Sequence, residues 1–468
     1  MCVFIDDLER MLPLSFHLPD SISLRALLAV GFALRAALIQ YAHYHDETME
    51  VKYTDVDYTV FTEGARALLE TGSPYNESKA FGYKYTPIIA WLMIPAVKWH
   101  SDAGKWLFAS SDLLVACLIW RIMQIAKSEQ RHIRSAVALW LFNPLTFVIS
   151  SRGNAESILA LFVLATLYAV MMPASQRSSV LIGVLHGLAI HFKLYPVIYM
   201  PSIYLVLHPN GPRPIWRAFL SFHVPELATQ VWRNRPGFVY LVTTLATFLT
   251  LLMIFYALYG PEFVREAYTF HFARRDPQHN FSPYFYVFYR CRGKWYESYI
   301  ARVVFLPQAF GVAYATHVFT AAPRIITRRS GLSSKQMNDL DVAPDLPTTW
   351  FFATAYFVAA NKVITSQYFV WVLTLLPLLV GRISITVFRV LTLVFAWGAG
   401  QAIWLALAYL LEFRKMQIQE TVWSASLMFF GINLWILFQL RTRYVPRCVD
   451  RDVDGKGNDK RGVNGHED

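Results

Sequence analysis

The sequence predicts an all-α polytopic membrane protein, a bundle of about 10–12 transmembrane helices with its polar chemistry in loops on one side. Composition is the first reason. Hydrophobic residues make up 55% of the 468 and charged residues 16%, against roughly 25% charged in a soluble domain. Mean hydropathy is +0.34, too apolar for a water-exposed surface. Second, the runs 238–259 and 386–411 carry at most one charge each, and each exceeds the about 20 residues that cross roughly 30 Å of hydrocarbon. Third, other apolar stretches are broken by charged or proline-bearing motifs that hydrocarbon tolerates only where the backbone turns or lines a cavity. Soluble enzymes, secreted disulfide scaffolds and disordered chains are excluded.

Taken in order, the uninterrupted spans are 24–41, 106–126, 135–150, 158–172, 238–259, 303–321, 386–411 and 422–440. The segment before the first holds Asp6, Asp7, Glu9 and Asp20 against Arg10. It lacks a basic n-region, so 24–41 reads as a retained signal anchor. Two stretches are interrupted. His191-Phe192-Lys193-Leu194-Tyr195-Pro196 breaks 180–207, and Asn361-Lys362 with Ser366-Gln367 breaks 350–380. Both read as hairpins of short helices. Residues 1–440 form one integral domain, and 441–468, rich in Gly, Asp and Lys without apolar periodicity, reads as a disordered cytosolic tail.

Charge follows this topology. With the N-terminus cytosolic, Lys127, Arg131 and Arg134, then Arg213, Arg217, Arg233 and Arg235, then Arg324, Arg328, Arg329 and Lys335 all fall inside. The outer loop 42–85 holds eight acids against four bases. Loop 260–302 departs from the rule with seven Lys/Arg on the outer side, which suits either an anionic ligand or an ordinary exception. The net charge of +11 is spread over short loops, so anionic lipid headgroups, and not nucleic acid, are the expected partners. Cys2, Cys117, Cys291 and Cys448 are too scattered for a disulfide framework or a zinc site. Sequons at Asn76 and Asn280 fall on the outer side.

The unusual polar constellations also share that side. Lys52-Tyr53-Thr54-Asp55-Val56-Asp57-Tyr58 carries two carboxylates at i and i+2, which point the same way on an extended segment. Close like charges raise one pKa or recruit a cation, so Asp55 and Asp57 suit a general base or a divalent metal pair. A plain solvated acidic loop is the competing structural reading. Ser150-Ser151-Arg152-Gly153-Asn154-Ala155-Glu156-Ser157 offers a guanidinium fork for phosphate and a glycine for close approach; alternatively Arg152 and Glu156 pair with each other. Lys193, at membrane depth, reads as a partner for an anionic headgroup or as a snorkelling side chain. His271, Arg274, Arg275, His279 and Asn280, followed by aromatics through Tyr286, suit a phosphate beside a sugar or lipid; an interfacial aromatic belt explains the tyrosines but not the charge. Asn361-Lys362 with Ser366-Gln367-Tyr368 forms a fifth, weaker instance. His186 and His191 are too far apart for a shared metal, and Asp112 reads as a satisfied structural carboxylate.

The strings VKYTDVDY at 51–58, SPY at 73–75, YKYTP at 83–87, SSRGNAES at 150–157, HFKLYP at 191–196, HFARRDPQHNFSPYFY at 271–286 and NKVITSQYFVW at 361–371 occur in order. Through them the chain resembles the PIG-M family of GPI mannosyltransferases, membrane glycosyltransferases of the GT-C class. The family more often carries Asp at the position of Glu156 and Ile at that of Leu194, both conservative differences. The resemblance implies a GT-C-type helix bundle with lumenal catalytic loops in the endoplasmic reticulum membrane. It implies transfer of the first α-1,4-mannose from dolichyl-phosphate-mannose to glucosaminyl-(acyl)phosphatidylinositol, and a small single-span stabilising subunit of the PIG-X type. For inversion at the anomeric carbon, Asp55, with Asp57 second, would be the base. Arg152, Lys193, Arg274, Arg275, His271, His279 and Lys362 would hold phosphate, and Tyr53, Tyr58, Asn154, Glu156, Asn280 and Gln367 would position substrate. No cofactor is required in this reading; a divalent cation, if used, would lie between Asp55 and Asp57. Alternatives are another dolichol-dependent GT-C transferase, of a later GPI mannose or an N-glycan glucose, and a lipid transporter, which would need the inverted repeats that this sequence lacks.

Overall fold

The computed structural model describes residues 19, 21–76, 82–273, 280–320 and 344–445. Among the described residues there is no strand, and one isolated bridge pairs Ile383 with Tyr444. Helix α1 (Leu24–Thr48) starts where the Ala26 amide donates to Ser23 Oγ and runs on past the predicted end at residue 41. Next come α2 (Val56–Thr71), which Gly72 stops at φ +80°, and α3 (Ala103–Ile125). The span expected at 135–150 is bent. α4 (Gln130–Leu141) and α5 (Pro144–Ser151) meet at 45°, because Pro144 cannot donate to the preceding turn while Asn143 caps a new start by accepting from the Leu145 amide. Then follow α6 (Glu156–Met171), α7 (Ser179–Phe192), α8 (Met200–Val206), α9 (Arg235–Val264), α10 (Leu306–Thr320), α11 (Leu346–Ala359), α12 (Phe369–Leu375), α13 (Val387–Glu412) and α14 (Gln419–Thr442). Among the described residues, six helical stretches are long and apolar enough to cross a membrane, or seven with the α4–α5 pair as one span. Shorter apolar helices lie between them, and the molecule is an all-α, multi-pass membrane protein.

Both interrupted stretches fold as hairpins. α7 runs alongside α9 at close range, since a Cβ on Gly183 or Gly187 would stand 2.6 Å from Thr243 Cβ or 2.7 Å from Thr247 Cβ. After Lys193 the chain reverses: Pro196 O lies 2.9 Å from His186 Nε2, and Tyr204 O accepts from Asn234 Nδ2 at 2.7 Å, back at the start of α9. Lys193 is therefore the tip. The second hairpin is α11, a loop at 360–365, and α12. Its base is fastened where Asp345, the N-cap of α11, pairs with Arg382 and accepts from Tyr444 Oη at 2.9 Å.

Contacts among the described loops fall into two groups. At one end Lys84 pairs with Glu266, Trp423 Nε1 donates to Pro283 O at 2.8 Å, and Tyr286 Oη donates to Glu420 at 2.7 Å. At the other end Asp345, Arg382 and Tyr444 meet. Inside the bundle, Arg35 Nε donates to Asp112 at 2.8 Å, with side chains 0% and 2% exposed. Arg35 Nη1 also donates to Leu141 O at 3.1 Å, so one guanidinium ties α1 to α3 and α4. Asp112 is thus a structural carboxylate, and removing either partner would strand a buried charge.

Candidate active site

The two aspartates sit at the start of α2 because Asp55 is its N-cap. Asp55 is in extended conformation (φ −67°, ψ 144°), and its Oδ1 accepts from the Asp57 amide at 3.0 Å, filling one of the donors that every helix start leaves open. Its own amide donates to Arg152 O at 2.9 Å, and Arg152 Nε donates to Tyr53 O at 2.7 Å. The loop between α5 and α6 is thereby paired with the segment that carries the acids. Arg152 Nη2 stands 3.8 Å from Asp55 Oδ2. Asp57 Oδ2 accepts from two amides, Asn154 Nδ2 at 3.0 Å and Gln367 Nε2 at 2.8 Å. Burial, and then the Asp57 charge, push the Asp55 carboxyl above the ordinary 3.8, while Arg152 opposes the shift.

Beside the acids lies a second charged cluster. Lys193, at the hairpin tip, pairs with Glu156, whose other oxygen accepts from Trp371 Nε1 at 2.7 Å. Glu156 therefore pairs with the lysine and not with Arg152, and Lys193 has an internal partner. Asp55, Asp57, Arg152, Asn154, Glu156, Lys193 and Gln367 thus converge from four separate parts of the chain.

The other predicted residues are placed differently. Tyr53 Oη lies 2.7 Å from Ser151 Oγ, and the buried Tyr58 donates to Ser101 O, so both brace the loops that hold the acids. Asn280 is 5% exposed and accepts from the Ser282 and Ile364 amides, fixing a loop pair that continues toward Gln367. Its burial leaves no room for a glycan there. His271 Nε2 lies 2.8 Å from Lys84 O, and Lys362 is half-buried in the 360–365 loop. Arg274, Arg275 and His279 lie outside the described residues, as do most of the tail and two residues of the Asn76 sequon. For a divalent metal the fit is poor. No group of three His, Cys, Asp or Glu side chains comes together among the described residues, Asp57 Oδ2 already holds two amide donors, and Glu156 is committed to Lys193 and Trp371.

Sequence reasoning missed several neighbours. Tyr85 lies close to Asp57, and burial followed by that charge holds its phenol well above the ordinary value. Trp371 is also at the site, beside the Tyr368 of the fifth constellation; it lies in the quoted 361–371 string, where an aromatic reads as span. Behind the acids, Asp46 accepts from Thr54 N at 3.1 Å and from Thr54 Oγ1, while Lys105 Nζ donates to Thr54 Oγ1 at 2.9 Å. Only contact across the fold reveals that group.

Gly153 carries a direct prediction. It adopts φ +92°, and a Cβ there would stand 2.3 Å from Tyr58 Cδ2. Gly153→Ala combines left-handed strain with a clash, together costing about 1–3 kcal/mol. It is expected to lower the melting temperature in detergent and to reduce catalytic activity at least ~10-fold, since the loop sets Arg152 and Asn154.

Comparison with known proteins gives the family. The chain is 37% identical over 428 residues to the GPI alpha-1,4-mannosyltransferase I catalytic subunit of Danio rerio, covering 92% of this chain and 98% of that one. It is 32% identical to GPI mannosyltransferase 1 of Saccharomyces cerevisiae, covering 89% of this chain and 94% of the relative. Among solved structures, ArnT from Cupriavidus metallidurans bound to undecaprenyl phosphate gives a TM-score of 0.48 at 14% identity, over 89% of this chain and 76% of that one. Residues 149–441, which take in Arg152, Glu156, Lys193 and Gln367, match the mannosyltransferase (PIG-M) family. The chain belongs to that family and is a membrane mannosyltransferase of GPI-anchor biosynthesis.

Proposed function

We propose that the chain transfers the first mannose, in α-1,4 linkage, from dolichyl-phosphate-mannose to glucosaminyl-(acyl)phosphatidylinositol at the lumenal face of the endoplasmic reticulum membrane. The bundle is of the GT-C type in this reading, and a small single-span subunit accompanies it, as the phrase "catalytic subunit" in the zebrafish relative's name suggests. The observation that carries the reading is the Asp55 carboxylate: buried, raised in pKa, and presented beside Asp57 and the Arg152 guanidinium.

Asp55 takes the proton from the acceptor hydroxyl as that oxygen attacks the anomeric carbon. The bond from that carbon to the phosphate oxygen breaks, and its electron pair stays on dolichyl phosphate. Attack opposite the leaving group inverts the configuration. Asp57, locked by Asn154 and Gln367, places a second negative charge near the developing oxocarbenium ion. Arg152 stabilises the departing phosphate, with Lys193 next to it. The protein's own cations serve here, and no step passes through a metal.

The direct test supplies microsomes holding this chain, with and without a small partner subunit, with radiolabelled dolichyl-phosphate-mannose and the glucosaminyl lipid acceptor. A mannosylated acceptor of inverted anomeric configuration is expected. Absence of product with the partner present refutes the reading. The pH profile follows from the sign of the shift. A base must be ionised, so kcat/KM falls as pH drops through the Asp55 pKa, and this acid limb lies above the ordinary 3.8. Arg152 lowers that pKa, so Arg152→Gln moves the limb to higher pH in addition to slowing the reaction.

A further inference from the structure

We infer that Tyr368 is a stacking platform for a hexopyranose ring of the substrate, a subsite that rests on the transferase reading above. Tyr368 follows Gln367, whose amide holds Asp57, so it is the chain neighbour of a residue that touches the acid pair. Its ring lies on Trp371 with centroids 4.3 Å apart and planes at 21°. Trp371 lies in turn on Tyr195 at 3.9 Å and 4°. The inner two rings are buried, and the Trp371 indole is pinned by its hydrogen bond to Glu156. Tyr368 is the half-buried outer member.

A core aromatic is covered on both faces, and a buried tyrosine finds a partner for its hydroxyl. Tyr368 shows neither property: it is partly open, and its hydroxyl makes no hydrogen bond among the described residues. The stack beneath it resists displacement, as a platform requires. A pyranose has one face of C–H groups that covers such a ring while its hydroxyls stay free for polar partners. Those partners are at hand. Lys193 Nζ lies 5.6 Å from the Tyr368 centroid and 4.9 Å from that of Trp371, and both Lys193 and Arg152 remain part-exposed. An apolar face beside two cations and a carboxylate pair matches a sugar joined to a phosphate. Both substrates carry a hexopyranose, mannosyl in the donor and glucosaminyl in the acceptor, and the test tells them apart.

The experiment uses the full-length chain with its partner subunit in nanodiscs, as wild type, Tyr368→Phe, Tyr368→Leu and Tyr368→Ala. Phe keeps the flat face and is expected to stay within ~2-fold of wild type in both KM values. Leu and Ala are expected to raise the KM of one substrate ~10-fold or more, and that substrate identifies the stacked ring. Leu keeps much of the bulk and covers the case in which Ala fails to fold. Binding without turnover is read by thermal shift, comparing dolichyl-phosphate-mannose with dolichyl phosphate and glucosaminyl-phosphatidylinositol with phosphatidylinositol. In one pair the sugar should add stabilisation to wild type and Phe but not to Leu. If Leu matches wild type, or if Phe is as impaired as Leu, the platform is overturned. If no sugar-dependent shift appears while mannose is transferred, the platform is again overturned and the transferase reading stands. A sugar-dependent shift without transfer leaves the subsite standing and refutes the reading above it.

Discussion

Asp55→Asn is expected to cut mannose transfer by roughly 10²–10⁴-fold while leaving the protein folded. The choice of substitution matters because Asp55 has two tasks. One oxygen caps α2 through the Asp57 amide, and the other faces Arg152. Asparagine is as good an N-cap as aspartate, so the helix start survives. It cannot accept the acceptor's proton, so the chemistry does not. Asp55→Ala removes both functions and costs about 0.5–2 kcal/mol in capping, which would blur the result. Activity per folded molecule, normalised by size-exclusion chromatography in detergent, separates the two. A near wild-type rate in Asp55→Asn would show that another group is the base.

The second large effect concerns the buried pair at the hairpin tip. Glu156 is 4% exposed and has Lys193 and Trp371 as partners. Lys193→Met leaves that carboxylate buried with one hydrogen bond, a loss of about 3–5 kcal/mol for breaking a buried pair from one side. Set against a total stability of roughly 5–15 kcal/mol, that is about a fifth of it or more. Glu156→Gln should do less harm. The amide can still accept from Trp371, and the Lys193 side chain, 29% exposed, can recover hydration. Glu156→Gln with Lys193→Met together should be more stable than Lys193→Met alone, yet remain at least ~10-fold slower than wild type, because the cation beside the leaving phosphate is gone. Melting temperatures in detergent with transfer assays check this. Equal stability of the two single variants would contradict the asymmetry of burial.

Much of this site was legible in the sequence, for a physical reason. Hydrocarbon excludes charge, so Lys193 beside Pro196 and Gln367 amid apolar stretches stood out against their surroundings. Asp55 and Asp57 stood out by spacing. The partners of those groups were not legible. Lys193 reads as a partner for a headgroup until the fold brings Glu156 against it, and Arg152 with Glu156 reads as a local pair until Asp55 turns out to face the arginine. Trp371 was hidden because an aromatic in an apolar run has the same composition whether it is lipid-facing or part of a site. The bend at Pro144 was visible as a proline, but a span tolerates one, and only the asparagine cap makes it a break.

The bond from Gln367 to Asp57 joins residues 310 positions apart. A ribosome delivers the acids early and the amide late, with most of the bundle threaded into the bilayer between the two events. During that interval Asp57 has at most one of its two amide donors, and Glu156 waits for Trp371. A chain released before residue 367 would carry both carboxylates and still lack the amide that holds Asp57. The second hairpin itself is fastened at its base only once Arg382 and Tyr444 have followed, so the setting of the acids depends on nearly the whole length of the chain.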